Sequence, residues 1–143
     1  MIETIYIESE IRSHPRTESI LSRFSKARFV ECERYGEVFN PKKQNFRLQK
    51  KKPALILARK HGNFILDAPK GFGIGGRKNY YFSHMLNCIY DCRYCFLQGM
   101  YRSANYVLFV NYEDFQNEIK KIVEQNPDDK EITFFSGYDC DSL

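Results

Sequence analysis

Residues 80–95 read YYFSHMLNCIYDCRYC, and the meaning of this stretch decides the fold. Tyr80 to Met85 has the aromatic and apolar content of a strand, and it delivers three thiols, Cys88, Cys92 and Cys95, spaced x3 and then x2. Further on, Tyr106 to Val110 reads as a short extended piece leading to a helix. Asn111 is placed to cap that helix, Glu113 and Asp114 suit its first turn, and Phe115, Ile119, Ile122 and Val123 form one apolar face before Pro127. Glu131 to Phe135 (EITFF) then reads as a buried strand. Strand, cysteine loop, helix and strand in that order are the opening of a parallel βαβ unit. Residues 80–143 are therefore expected to be the α/β part of the chain.

Residues 1–79 read as an α+β portion. Thr4 to Ile7 is strand-like, Arg16 to Phe24 carries Ile20, Leu21 and Phe24 at helical spacing, and Ala27 to Cys32 is a second strand candidate. Two apolar runs, ALILAR and NFILD, flank Lys60-His61-Gly62, so Ala54 to Asp67 is expected to form a hairpin. The glycines from Gly71 to Gly76 satisfy the dinucleotide pattern G-x-G-x-x-G, but that fingerprint must close a strand and open a helix. Here the glycines follow Pro69-Lys70 and precede a strand-like run. They read as a flexible loop, with the boundary between the two portions near Asn79.

With 143 residues, 43% hydrophobic and 28% charged, the composition is that of an ordinary soluble globular domain. Apolar runs such as Ala54 to Ala58 fall far short of the roughly 18–20 residues that cross a bilayer. The opening MIETIYIESEIR has neither a basic n-region with an apolar h-region nor a cleavage site, so a cytoplasmic location is expected. The net charge is a modest +4, yet no acid occurs between Glu37 and Asp67. Lys42, Lys43, Arg47, Lys50, Lys51 and Lys52 fall in that gap, interleaved with Asn45, Phe46 and Gln49. Such a run suits nucleic-acid phosphates and equally suits a plain solvated face.

Of five cysteines, three lie within eight residues, which in a reducing compartment points to metal rather than to a disulfide framework. Cys32, far from the others, reads as a small apolar residue. A 4Fe-4S cluster usually takes four cysteines, so three ligands leave one iron open to a substrate or cofactor. The alternative is zinc: His84-x3-Cys88-x3-Cys92-x2-Cys95 supplies a Cys3His set, which would make the chain a metal-stabilised nucleic-acid-binding module without catalysis. As a non-ligand, His84 is a core or hydrogen-bonding histidine at a strand end.

The motif C-x3-C-x2-C, with an aromatic before the last cysteine, resembles that of the radical S-adenosylmethionine (SAM) superfamily. SHMLNCIYDCRYCFLQGMY (Ser83 to Tyr101), with YGEVFNPKKQNFRLQKKKPALILARK upstream and SANYVLFVNYEDF downstream, is similar to the spore photoproduct lyase family across nearly the whole chain. The resemblance implies that Cys88, Cys92 and Cys95 ligate a 4Fe-4S cluster whose open iron binds SAM, which is cleaved to methionine and a 5′-deoxyadenosyl radical. Tyr94 would lie against the adenine, and Ser136, Gly137, Tyr138, Asp139 and Asp141 would hold SAM, although the usual Gly-Gly-Glu-Pro motif is absent there. Asp139 and Asp141 equally suit a cap for a following helix.

Lyases of this family reverse a thymine–thymine crosslink made in DNA by ultraviolet light, so DNA is the implied partner, with flavodoxin or ferredoxin as electron donor. Their relay uses tyrosines on both sides of the last cluster cysteine; here Tyr94 is present and Phe96 lacks a phenol. A further cysteine after the second strand donates hydrogen, a role that falls to Cys140, while alignment on the following aspartate places Tyr138 there instead. Tyr101, Arg102 and Asn105 follow the cysteine segment and read as ordinary loop residues, with contact to the substrate or the SAM carboxylate as the alternative. The family carries a partial (β/α)6 barrel, of which this chain would hold only the first βαβ part. It is thus expected to be a truncated fragment with little or no activity alone.

Overall fold

The structure, a computed structural model, describes residues 2–39, 42, 44–90, 92–129 and 131–140. The expectations for Lys43 and Asp141 lie outside the described residues. Two sheets organise the chain. The larger has five strands in the order β2-β1-β3-β7-β6, formed by β1 (Thr4–Glu8), β2 (Arg28–Cys32), β3 (Leu55–Ala58), β6 (Met85–Leu86) and β7 (Tyr106–Phe109). The first four in that order run parallel, and β6 closes the edge antiparallel to β7. Segments from both sides of residue 79 share this sheet. The smaller sheet is β4 (Leu66–Asp67), β5 (Lys78–Phe82) and β8 (Ile132–Ser136), with β5 and β8 parallel.

The hairpin expected over Ala54 to Asp67 does not form. Leu55 to Ala58 instead becomes a central parallel strand between β1 and β7, while Leu66 and Asp67 pair with β5 in the other sheet. The reason is burial on both faces. Ile56 and Ala58 pack with Phe39, Val107, Phe109 and Phe115 on one side, and Leu57 packs with Ile5, Ile7, Ile11 and Val110 on the other. A strand covered on both faces reads as a continuous apolar run, and that is what ALILA is. Tyr106 to Phe109, expected only as an extended piece, is likewise a full sheet strand, held in register from Leu55↔Tyr106 to Ala58↔Phe109.

Helix α1 (Pro15–Arg23) covers the second face through Ile20 and Leu21; Pro15 suits its first turn and the His14 ring nitrogen accepts from Arg16 N–H at 3.2 Å. Helix α3 (Tyr112–Glu124) presents Phe115 to the first face. Asn111 precedes α3 but does not cap it with its side chain. Its Oδ1 accepts from Lys60 N–H at 2.9 Å, and its Nδ2 donates to the Lys60 carbonyl at 3.0 Å and to Asp114 Oδ2 at 2.7 Å. The amide thus fastens the end of β3 to the start of α3.

Fully buried Glu8 plays a similar part. Its two oxygens accept from Tyr35 N–H at 2.7 Å and Arg59 N–H at 2.8 Å, so the carboxylate joins the end of β1 to the segments that follow β2 and β3.

Helix α2 (Phe46–Lys51) lies within the basic run and was not anticipated. It is a short helix with no acid and no apolar face, started by Asn45, whose side chain accepts from Leu48 N–H at 3.1 Å. The glycine loop is a joint rather than a cofactor cradle: at Gly76, with φ +72°, a Cβ would stand 2.5 Å from the Glu131 carbonyl oxygen just before β8. None of the described helices is long and apolar enough to cross a membrane.

Candidate functional site

Two groups of residues meet where the strands end. The first is the cysteine turn between β6 and β7. Its backbone closes through successive short bonds: Cys95 N–H donates to the Cys92 carbonyl at 3.0 Å, Gln98 N–H to the Cys95 carbonyl at 3.3 Å, and Met100 N–H to the Leu97 carbonyl at 3.2 Å. Cys88, Cys92 and Cys95 are half-buried, and none of the five cysteines forms a disulfide. Cys88 and Cys95 line one cleft together with Phe46 and Lys50 of α2 and with Ala104 and Tyr106. The basic helix therefore stands against the thiol-bearing turn.

The donor set suits an iron–sulfur cluster in kind and number, three thiols within eight residues. Among the described residues, no three His, Cys, Asp or Glu side chains converge on one point. His84 is engaged elsewhere: its ring stands edge-on to Tyr112 at 5.8 Å, and its carbonyl accepts from Phe109 N–H at 2.9 Å. Burial holds its imidazole below the ordinary histidine range. Tyr94, at 94% exposure, and Phe96, at 75%, project from the turn into solvent.

The second group is the loop after β8. Gly137 N–H donates to the Phe82 carbonyl at 3.1 Å, and Asp139 N–H donates to the Ser83 hydroxyl at 3.0 Å, so the loop is pinned to the end of β5. Ser136 is exposed at the strand end, and the Tyr138 ring lies 4.7 Å from that of Tyr81. Cys140, only 5% exposed, turns back with its N–H toward the Gly137 carbonyl at 3.3 Å.

Asp139 is where the two groups touch. Burial, and then the negative charge of its carboxylate, push the Tyr101 phenol well above the usual phenol range. Burial lowers the Lys60 ammonium, and Asp139 acts the other way. Tyr101 also packs on Phe39 at 5.1 Å. It stands between the end of the cysteine turn and the loop after β8. Asn105 is buried too, its Oδ1 accepting from Ala54 N–H at 3.0 Å. Sequence reasoning missed Ser83, Lys60 and Gln98 altogether, because each acts through a partner distant in sequence.

The basic run divides. Lys42, Arg47, Lys50, Lys51 and Lys52 are exposed, but Lys52 Nζ pairs with Glu3 at 3.0 Å and Lys50 Nζ donates to Gln98 Oε1 at 3.2 Å. Burial, with Glu8, Glu37 and Glu33 nearby, pushes the Cys32 thiol up to about 11, which disfavours its thiolate.

No family model matches the sequence, and no curated protein matches it either. Solved structures do. A double variant of spore photoproduct lyase with bound AdoMet and dinucleoside spore photoproduct superposes at a TM-score of 0.73 with 21% identity, over 99% of this chain and 41% of that one. The chain shares its fold with spore photoproduct lyase. A cysteine-to-serine and a cysteine-to-alanine variant of spore photoproduct lyase match at TM-scores of 0.68, again with 21% identity, over 96% of this chain and 41% of theirs. The chain thus spans 41% of the length of the spore photoproduct lyase structures it resembles.

Proposed function

We propose that this chain is the cluster-bearing part of a spore photoproduct lyase-like radical SAM protein. The observation that carries the reading is the C-x3-C-x2-C turn, free of disulfides, set on a fold shared with a lyase whose structure holds AdoMet. Cys88, Cys92 and Cys95 would hold a 4Fe-4S cluster and leave one iron for SAM. When bound, that group supplies the single electron that splits SAM into methionine and a 5′-deoxyadenosyl radical, with a reduced flavodoxin- or ferredoxin-type protein as the source.

The chain's own residues supply the rest. The loop from Ser136 to Asp139, pinned by Ser83 and the Phe82 carbonyl, is proposed to hold SAM, with the Asp139 carboxylate toward its ammonium. Asp141 is proposed for the same loop. Tyr94 is proposed to swing from solvent onto the adenine.

Cys140, buried at the end of that loop, is proposed to give a hydrogen atom to the substrate radical. Its S–H bond breaks as the substrate C–H bond forms, a phenol O–H, assigned to Tyr94, returns the thiyl to thiol, and the phenoxyl so formed takes a hydrogen atom from 5′-deoxyadenosine, which restores the starting radical. The proposed substrate is the ultraviolet-made thymine–thymine lesion in DNA, met by Lys42, Lys43, Arg47 and Lys51.

The reading is tested by adding SAM to anaerobically reconstituted, reduced protein and recording its electron paramagnetic resonance spectrum. A cluster with an open iron changes its signal on adding SAM. A protein that takes up one zinc and gives no SAM response would instead be a nucleic-acid-binding module without catalysis.

A further inference from the structure

Gln98 occupies an exposed position on the cysteine turn, where a surface glutamine ordinarily has no fixed task. Its side chain nevertheless spans two elements. Nε2 donates to the Cys92 carbonyl at 2.7 Å, and Oε1 accepts from Lys50 Nζ of α2 at 3.2 Å. The Cys92 carbonyl already accepts from Cys95 N–H at 3.0 Å, so the glutamine fills its second lone pair. The residue before Lys50 does the same job further along the turn: Gln49 Oε1 accepts from Ala104 N–H at 3.0 Å and from the Ser103 hydroxyl at 3.4 Å. Two adjacent residues of α2 thus hold the turn at its middle and at its end.

We propose that Gln98 is the positioning residue of the cysteine turn, fastening the Cys92 backbone to α2 through Lys50. A side-chain amide suits this, because one end donates to a carbonyl while the other accepts from an ammonium. Glutamate at this place keeps Lys50 and loses Cys92. The basic helix is then part of the scaffold of the thiols, and Lys50 serves the turn in addition to any phosphate it meets. The relevance to a cluster rests on the function proposed above; the positioning of Cys92 does not.

The test therefore begins with metal-free protein. Alkylation of each cysteine by iodoacetamide is followed by mass spectrometry in the parent chain and in Gln98→Ala, Gln98→Glu, Lys50→Met and Lys50→Arg, with circular dichroism to confirm folding. Gln98→Ala and Gln98→Glu should speed alkylation of Cys92 relative to Cys88 by roughly two- to twelve-fold, the equivalent of one lost hydrogen bond. Lys50→Met should do so less, and Lys50→Arg, which keeps a cationic donor, should match the parent.

Iron loss to a chelator from reconstituted protein should rank the variants in the same order. An unchanged Cys92 to Cys88 ratio in Gln98→Ala, or an equal rise at every cysteine, would overturn the proposal. If the parent chain takes up no iron, the cluster reading fails while the alkylation pattern still decides the role of Gln98.

Discussion

The backbone N–H of Asp139 meets the hydroxyl of Ser83 at 3.0 Å, which ties the loop after β8 to the residue that follows β5. Ser83 is buried, so its replacement by alanine leaves the Asp139 N–H without this acceptor. Ser83→Ala should cost about 1–2 kcal/mol in urea unfolding. It should also weaken SAM binding to reconstituted protein, measured by calorimetry, more than an alanine at exposed Tyr138 does.

Acid should destabilise the fold at a place remote from the thiols. Arg16 hydrogen-bonds Glu113 through Nη2 at 2.7 Å, joining α1 to α3, and this pairing holds the Glu113 carboxyl down to about 2 from the usual 4.5. A depressed folded pKa stabilises above the unfolded value, and that stability is lost as pH falls from about 4.5 toward 2. Urea midpoints measured from pH 6 down to pH 2 should fall in that window. In Glu113→Gln the fall should be shallower, and the midpoint at neutral pH should be lower, by an amount tempered by the exposure of the pair.

His84 separates the two metals. Its edge-on contact with Tyr112 predicts that His84→Gln costs about 0.5–1.5 kcal/mol of stability. Iron content after anaerobic reconstitution should be unchanged. Loss of bound metal in this variant would support a Cys3His zinc site instead.

For DNA binding, cations on the same run should not be equal. Lys52 is paired with Glu3, whereas no ion pair among the described residues holds Arg47 or Lys51. Arg47→Gln and Lys51→Gln should each lower the slope of log affinity against log salt by about 0.9. Lys52→Gln should change it less, as fluorescence anisotropy with a labelled duplex can show.

The parts of the molecule legible in sequence are those whose signal is local. The helix over 112–124 announces itself through its acidic first turn and apolar face, and three thiols in eight residues state their chemistry without any fold. Leu55 to Ala58 was misread because the partners that settle it, Ile5 to Ile7 and Tyr106 to Phe109, lie some fifty residues away on either side. A neighbouring apolar run and a turn-like Lys60-His61-Gly62 imitate a hairpin when those partners are out of view.

Helix α2 escaped for the opposite reason. Six residues with four exposed have no periodicity to read. In the site, the contact between Tyr101 and Asp139 and the reach of Gln98 from Cys92 to Lys50 depend on which loops the sheet brings together, and no spacing rule carries that information.

The most direct measurement is iron and sulfide analysis of the anaerobically reconstituted chain beside its Cys92→Ala variant. The account predicts about four irons and matching sulfide per chain, brown colour, and loss of both in the variant. Zinc with no sulfide, or iron that persists unchanged in Cys92→Ala, would contradict it.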